Sequence, residues 1–291
     1  MNKTLISILG GLGAMVGWGT SDFLANNASD KVGHKRAFFW SQIAGLILIG
    51  IIALFFSTGL SSFSPPILLL IIVAGIAYSL GYLFFYNGFE IGNVSVVSAV
   101  INLQNIFVIG ISHFVFGQSL TTMQIPALLL LMLGVTLVSV NFKELKSGGV
   151  SLVKGVKETL IATIMFGIFY WPLNEYIVER VDWISAIFMI KLISLVFVLL
   201  MAKITNKSLA IPKSSRNIVK LLIAVGSLEA VGVISMSYGV SLGDAIIVAP
   251  ISSALTIVTI FLAVIFLKEK ISKMQWAGIA LTMLGIFMMG F

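Results

Sequence analysis

Hydrophobic residues in this chain neither alternate nor recur at helical spacing. They form long, nearly unbroken runs, each ending in a short polar turn. Ten such runs lie at about 4–25, 36–57, 66–89, 94–116, 121–141, 158–178, 183–203, 218–239, 244–267 and 273–291. Runs of about 20 residues suffice to cross roughly 30 Å of hydrocarbon at about 1.5 Å per helical residue. The pattern predicts an all-α integral membrane protein with ten transmembrane helices. The first run is too long, and lacks the small-residue cleavage site, for a signal peptide, so it is read as a span. The longest connections, 142–157 and 204–217, are small and basic, so any functional site is expected inside the bundle.

The chain also resembles itself. Shifted by 151 residues, Gly75, Gly81, Gly88 and Gly92 fall on Gly226, Gly232, Gly239 and Gly243. At the same shift Met123–Gln124 falls on Met274–Gln275, and Met132–Leu133–Gly134 on Met283–Leu284–Gly285. A shift of 153 pairs Trp18 with Trp171 and Asp22 with Glu175, and a shift of 149 pairs Gln42 with Lys191. Five helices per half is an odd number, so the halves enter the membrane in opposite directions. The expectation is a 5+5 inverted-topology repeat, with residues 1–141 as the first half, 142–157 as a cytoplasmic linker and 158–291 as the second. Such an architecture suits a midplane site exposed alternately to either face. The GxxxG spacings at Gly13/Gly17, Gly88/Gly92 and Gly239/Gly243 are read as helix contacts inside one bundle. A homodimer is left open.

Composition agrees: 59% of the 291 residues are hydrophobic, 10% are charged, and mean hydropathy is +1.11. The net charge of +7 would suggest nucleic acid if it were clustered, but 15 of the 18 basic residues fall in alternate loops. Lys3 and Arg180 lie on the other side and Lys191 within a span. That is the positive-inside pattern, which places both termini outside the cytoplasm of a multi-pass cell-membrane protein. The basic residues therefore set topology, and no nucleic-acid partner is expected. With no cysteine there is neither a disulfide nor a thiolate metal site.

Candidate chemistry lies in the few polar residues at bilayer depth, where a charge costs roughly 2.5–3.5 kcal/mol. Lys191 sits about eight residues inside its span, and Glu229, on the next helix, is its natural counter-ion. The substrate-binding candidates are Lys191, Glu229, Gln42, Trp18, Trp171 and Tyr82. Asp22 and Glu175, placed near span ends at opposite faces, are candidates for coupling or gating, with a proton as the coupling ion. Pro172 and Pro250 interrupt spans, either as packing kinks or as substrate-binding breaks. No cofactor, metal site or catalytic residue is expected, because the chain has no HExxH pair, GxSxG elbow or Walker loop. ATP is therefore not the direct driver.

The segment "AIIVAPISSALTIVTIFLAVIFLKEKISKMQWAGIALTMLGIFMM" and the opening "GAMVGWGTSDFLANNAS" resemble EamA-type members of the drug/metabolite transporter superfamily. In the first half, Ala99 and Gln118 stand where the second half has Pro250 and Glu269, so that half lacks the family's proline and turn carboxylate. The resemblance implies a secondary transporter with small-molecule and lipid-bilayer partners. The expected function is movement of a small polar metabolite, such as an amino acid, a sugar or a related compound, by alternating access. The alternatives are a structural or assembly subunit and an intramembrane enzyme.

Overall fold

The computed structural model describes residues 2–59, 63–91, 97, 100–139, 154–211, 216–268 and 271–291. Much of the 142–157 linker, the start of the 94–116 span, Gly92, Ala99 and Glu269 lie outside these residues. Among the described residues there are helices and no strand. In chain order they are α1 (Lys3–Val32), α2 (His34–Phe56), α3 (Pro65–Ile91), α4 (Gln104–Phe114) and α5 (Gln124–Ser139). Then come α6 (Val156–Ile164, Met165–Tyr170 and Trp171–Val178), α7 (Trp183–Ile204), α8 (Arg216–Leu242), α9 (Ala245–Ser252, Leu255–Leu262 and Ala263–Leu267) and α10 (Lys273–Met288). Among the described residues, seven helices are long and apolar enough to cross a membrane: α1 to α3 and α6 to α9. The runs expected at 121–141 and 273–291 appear as the 16-residue α5 and α10.

α1 outlasts its apolar run. Its last turns, "NNASDKV", are polar, and the helix stops at Gly33, whose φ of 82° suits glycine and whose N–H caps the Ser29 carbonyl at 2.7 Å. Asp22 therefore lies ten residues before the helix end rather than near it.

Both chain ends lie on one face. Lys3 pairs with Asp244 at 2.7 Å and Gln124 donates to the Met289 carbonyl at 3.0 Å. On the same face Asp182 caps α7 and also accepts from Thr58, and these hydrogen bonds hold its carboxyl below the usual carboxylate range although burial alone would raise it. The opposite face is tied by Trp40 donating to the Leu209 carbonyl at 2.8 Å.

Without a hydrophobic force between helices in lipid, close approach comes from small residues. A Cβ on Gly10 would lie 2.5 Å from Gly239 Cα, and one on Gly17 would lie 2.6 Å from the Gly232 nitrogen, so α1 and α8 meet backbone to backbone. The contact is repeated with the halves exchanged. α6 packs on α3, where a Cβ on Gly88 would meet Thr159 at 2.6 Å and one on Gly81 would meet Phe166 at 2.6 Å. Thr159 and Phe166 each follow their counterparts Gly10 and Gly17 by 149 residues. α1 and α6 therefore share the 149 register of α2 and α7, and neither Trp18/Trp171 nor Asp22/Glu175 is a pair of repeat mates at a shift of 153.

Both prolines sit in locally rearranged helix. Before Pro172, Met165–Tyr170 is π-helical and the Trp171 N–H reaches the Phe166 carbonyl five residues back. After Pro250 the helix breaks, and the hydroxyls of Ser252 and Ser253 donate to the carbonyls of Ala249 and Pro250 at 2.8 and 2.6 Å. The two hydroxyls thus supply donors to carbonyls at the break itself.

Candidate functional site

Near the centre of the bundle four polar side chains from four helices meet. Lys191 of α7 forms an ion pair with Glu229 of α8, and the two residues are only 1% and 5% exposed. The Lys191 ammonium also donates to Gln42 Oε1 of α2 at 2.7 Å and to the Tyr78 hydroxyl of α3 at 3.3 Å. Tyr78 in turn donates to Glu229 Oε1. Lys191 further lies 5.4 Å from the centroid of the Tyr78 ring, within cation–π range. The two charges are thus neutralised and hydrogen-bonded inside protein, as burial demands. Two shallow clefts, one lined in part by Leu9, Ser235 and Tyr238 and the other by Asn102, Asn105 and Ser253, lie elsewhere.

The cluster has an internal order. Gln42 and Lys191 are separated by 149 residues, the register of α2 on α7. Tyr78 and Glu229 are separated by 151, the register of α3 on α8, and each is the middle residue of a 27-residue helix. Two pairs of repeat mates therefore meet their own counterparts, which places the cluster where the two halves cross. In the sequence Tyr78 is one aromatic in an apolar run, although its shift of 151 from Glu229 falls in the same register as Gly75/Gly226 and Gly81/Gly232.

Glycines bring the backbones near enough. A Cβ on Gly45 would lie 3.4 Å from both Lys191 Nζ and Glu229 Oε2, and 2.9 Å from the Gly226 carbonyl. A Cβ on Gly226 would overlap the Ser41 carbonyl, and one on Gly75 would lie 2.8 Å from the carbonyl of Ile190. Ser41 and Ile190 again differ by 149.

From Tyr78, the α3 residues Tyr82 and Tyr86 continue at four-residue steps toward the face opposite the termini. Their ring centroids are 4.8 and 5.7 Å apart in succession, and Phe38 stacks on Tyr82 at 5.4 Å. Asp22 is half-buried on α1 and forms no hydrogen bond or ion pair with a described residue. One turn before it, Trp18 meets Trp171 edge to face at 6.2 Å, and its indole N–H is buried without an acceptor among the described residues.

Glu175 is elsewhere, toward the termini-bearing face. It is buried rather than solvated, and accepts from Ser112 at 3.1 Å and from Gln118 Nε2 at 2.6 Å. Gln118 Oε1 accepts from the Ile246 N–H at the start of α9 at 3.0 Å. The structure thus brings Lys191, Glu229 and Gln42 together, sets Tyr82 beside them, and separates Asp22 from Glu175.

The sequence model of the EamA-like transporter family matches residues 5–140 and, a second time, residues 153–291. A crystal structure of another protein is similar in fold, with a TM-score of 0.77, 15% sequence identity, and coverage of 97% of this chain and 94% of that one. No curated protein matches the chain.

Proposed function

Because the chain belongs to the EamA-like transporter family, whose members are membrane transporters rather than enzymes, we propose that it is a secondary transporter moving a small polar metabolite, an amino acid, a sugar or a related compound, across the cell membrane by alternating access. The observation that carries this reading is the meeting of two pairs of repeat mates, Gln42/Lys191 and Tyr78/Glu229, at mid-bundle. Inverted-repeat transporters hold substrate where their halves cross. On this reading the chain has ten spans arranged as a 5+5 inverted repeat, 1–141 and 158–291, and Lys191, Glu229, Gln42, Tyr82, Trp18 and Trp171 surround the substrate. Asp22 and Glu175 are the candidate coupling or gating carboxylates, with a proton as the coupling ion. The bonds from Ser112 and Gln118 to Glu175 would act as the seal on the termini-bearing side. The test is uptake of a radiolabelled metabolite mixture into proteoliposomes, followed by identification of what accumulates. Uptake no greater than in protein-free liposomes would overturn the reading.

A second reading has its own observation. Every partner of the Lys191–Glu229 pair lies inside the protein, as would suit an ion pair that only holds helices in a structural subunit.

The termini-bearing face is proposed to be extracellular, since positive charge concentrates in the loops of the other face. The chain has no cysteine, so single cysteines can report sidedness. In intact cells Gly290→Cys should react with an impermeant maleimide and Ser208→Cys should not. The opposite result would reverse the topology.

A further inference from the structure

Helix α9 does not cap its own start. Asp244 is its N-cap residue and already has the extended backbone of one, φ −126° and ψ 123°, yet its side chain bonds to none of the helix's N–H groups. The carboxylate turns instead to Lys3 of α1, 2.7 Å away. The donor it would take, the Ile246 N–H in the second helical position, goes to Gln118 Oε1 at 3.0 Å. Another outside contact holds the junction, since Ser7 Oγ accepts from the Asp244 N–H at 2.8 Å.

Gln118 is aimed at that donor from an anchored turn. Gly117 before it has a φ of 69°, which suits glycine. The Gln118 N–H donates to the Ser112 carbonyl at 2.9 Å, and its carbonyl accepts from His113 Nδ1 at 2.8 Å. The side-chain amide has a donor end and an acceptor end, and one orientation serves both neighbours: Nε2 on the Glu175 carboxylate at 2.6 Å and Oε1 on Ile246. Gln118 therefore ties α6 to α9 at the face that bears the termini. Asp244 stands next to the same N–H as a competitor, and rotation of its side chain would carry the carboxylate from Lys3 to Ile246.

We propose that the seal on the termini-bearing face opens by an exchange of caps. With the seal shut, Gln118 caps α9 and Asp244 pairs with Lys3. With it open, Gln118 has left, Asp244 caps its own helix and Lys3 is released. The first turn of α9 thus keeps a cap while it parts from the α4–α5 turn. The inference rests on the transport reading only for calling this seal a gate, and the exchange itself needs no substrate. The rival is a plain ion-pair latch, in which Asp244 does nothing but hold Lys3.

The two differ in the effect of removing Asp244. Ser237→Cys on α8 serves as the reporter, because Ser237 is fully buried against Asn174, the neighbour of Glu175. The full-length protein carrying it is placed in lipid nanodiscs, and the rate of its reaction with a water-soluble maleimide is measured. Gln118→Leu is expected to speed labelling about fivefold or more, since only the closed state loses its cap. Lys3→Met and Asp244→Asn should speed it about two- to fivefold, because each breaks a partly exposed pair and leaves a capping side chain at 244. Asp244→Ala should not speed it, because alanine neither pairs nor caps. Labelling of Asp244→Ala as fast as that of Asp244→Asn would establish the plain latch and overturn the exchange. An unchanged rate in a folded Gln118→Leu, or no labelling in any variant, would overturn it as well. Lys3 and Asp244 are both partly exposed, so their variants decide if Gln118→Leu does not fold. The expected rates without uptake of any metabolite into proteoliposomes would uphold the exchange and sink the transport reading. Uptake by a protein with the plain-latch pattern would do the reverse.

Discussion

Lys191→Met alone is expected to be among the most damaging single substitutions in the bundle. It leaves the Glu229 carboxylate 5% exposed in the core, with Tyr78 as its remaining donor. Breaking a buried pair by removing one partner costs about 3–5 kcal/mol, because the other charge stays buried without compensation. A sharply lower melting temperature in detergent, and little protein at the membrane, should result. Adding Glu229→Gln should restore much of the loss, since removing both charges of a buried pair is often neutral or stabilising. That double variant then separates the two readings of the site. If the pair is only a brace, a well-folded double variant transports as the wild type does. If the cluster works in the cycle, the double variant reaches the membrane in normal amount and accumulates no substrate. Normal uptake would end the functional reading of Lys191 and Glu229 and leave the structural one.

Much of this site could be seen before the fold was known, for a physical reason. In a chain with 59% hydrophobic residues, each charge inside a span stands out because lipid penalises it, so Lys191 and Glu229 identify each other. Their two companions leave different signals in the sequence. Gln42 appeared through the 149 register. Tyr78 did not, since a tyrosine in an apolar run looks like any packing aromatic until the 151 register sets it opposite Glu229. Helix ends were the harder part. Hydropathy marks where lipid stops, whereas a helix stops at a cap, and α1 runs through polar residues to Gly33. That difference moved Asp22 from a rim into the bundle. The register of α6 was hidden in a similar way, because the π-helical Met165–Tyr170 departs from regular α-helical periodicity just before Trp171 and Glu175.

The paired glycines lead to the other large effect. At Gly226 there is no room for even one carbon: a Cβ there would overlap the Ser41 carbonyl and crowd the Ala44 side chain at 3.0 Å. Backbone cannot swing aside as the end of a flexible side chain can, so Gly226→Ala must push α2 away from α8. Those two helices carry Gln42 and Glu229, and Gly45 holds its own backbone against the Gly226 carbonyl beside the ion pair. The separation therefore stretches the Lys191–Gln42 hydrogen bond as well as the packing. Overpacking of this kind costs about 1–3 kcal/mol and sometimes more. The repeat mate supplies the control. At Gly75 the nearest atoms to a Cβ are the Ile190 carbonyl and two Ile193 side-chain carbons, all at 2.8 Å, so α3 and α7 need to yield less. Gly226→Ala is expected to lower thermal stability more than Gly75→Ala, and to abolish uptake where Gly75→Ala only reduces it. Equal stability losses in the two variants would show that the halves tolerate the added methyl alike, and that the α2–α8 contact is not what fixes the geometry of the Lys191–Glu229 pair.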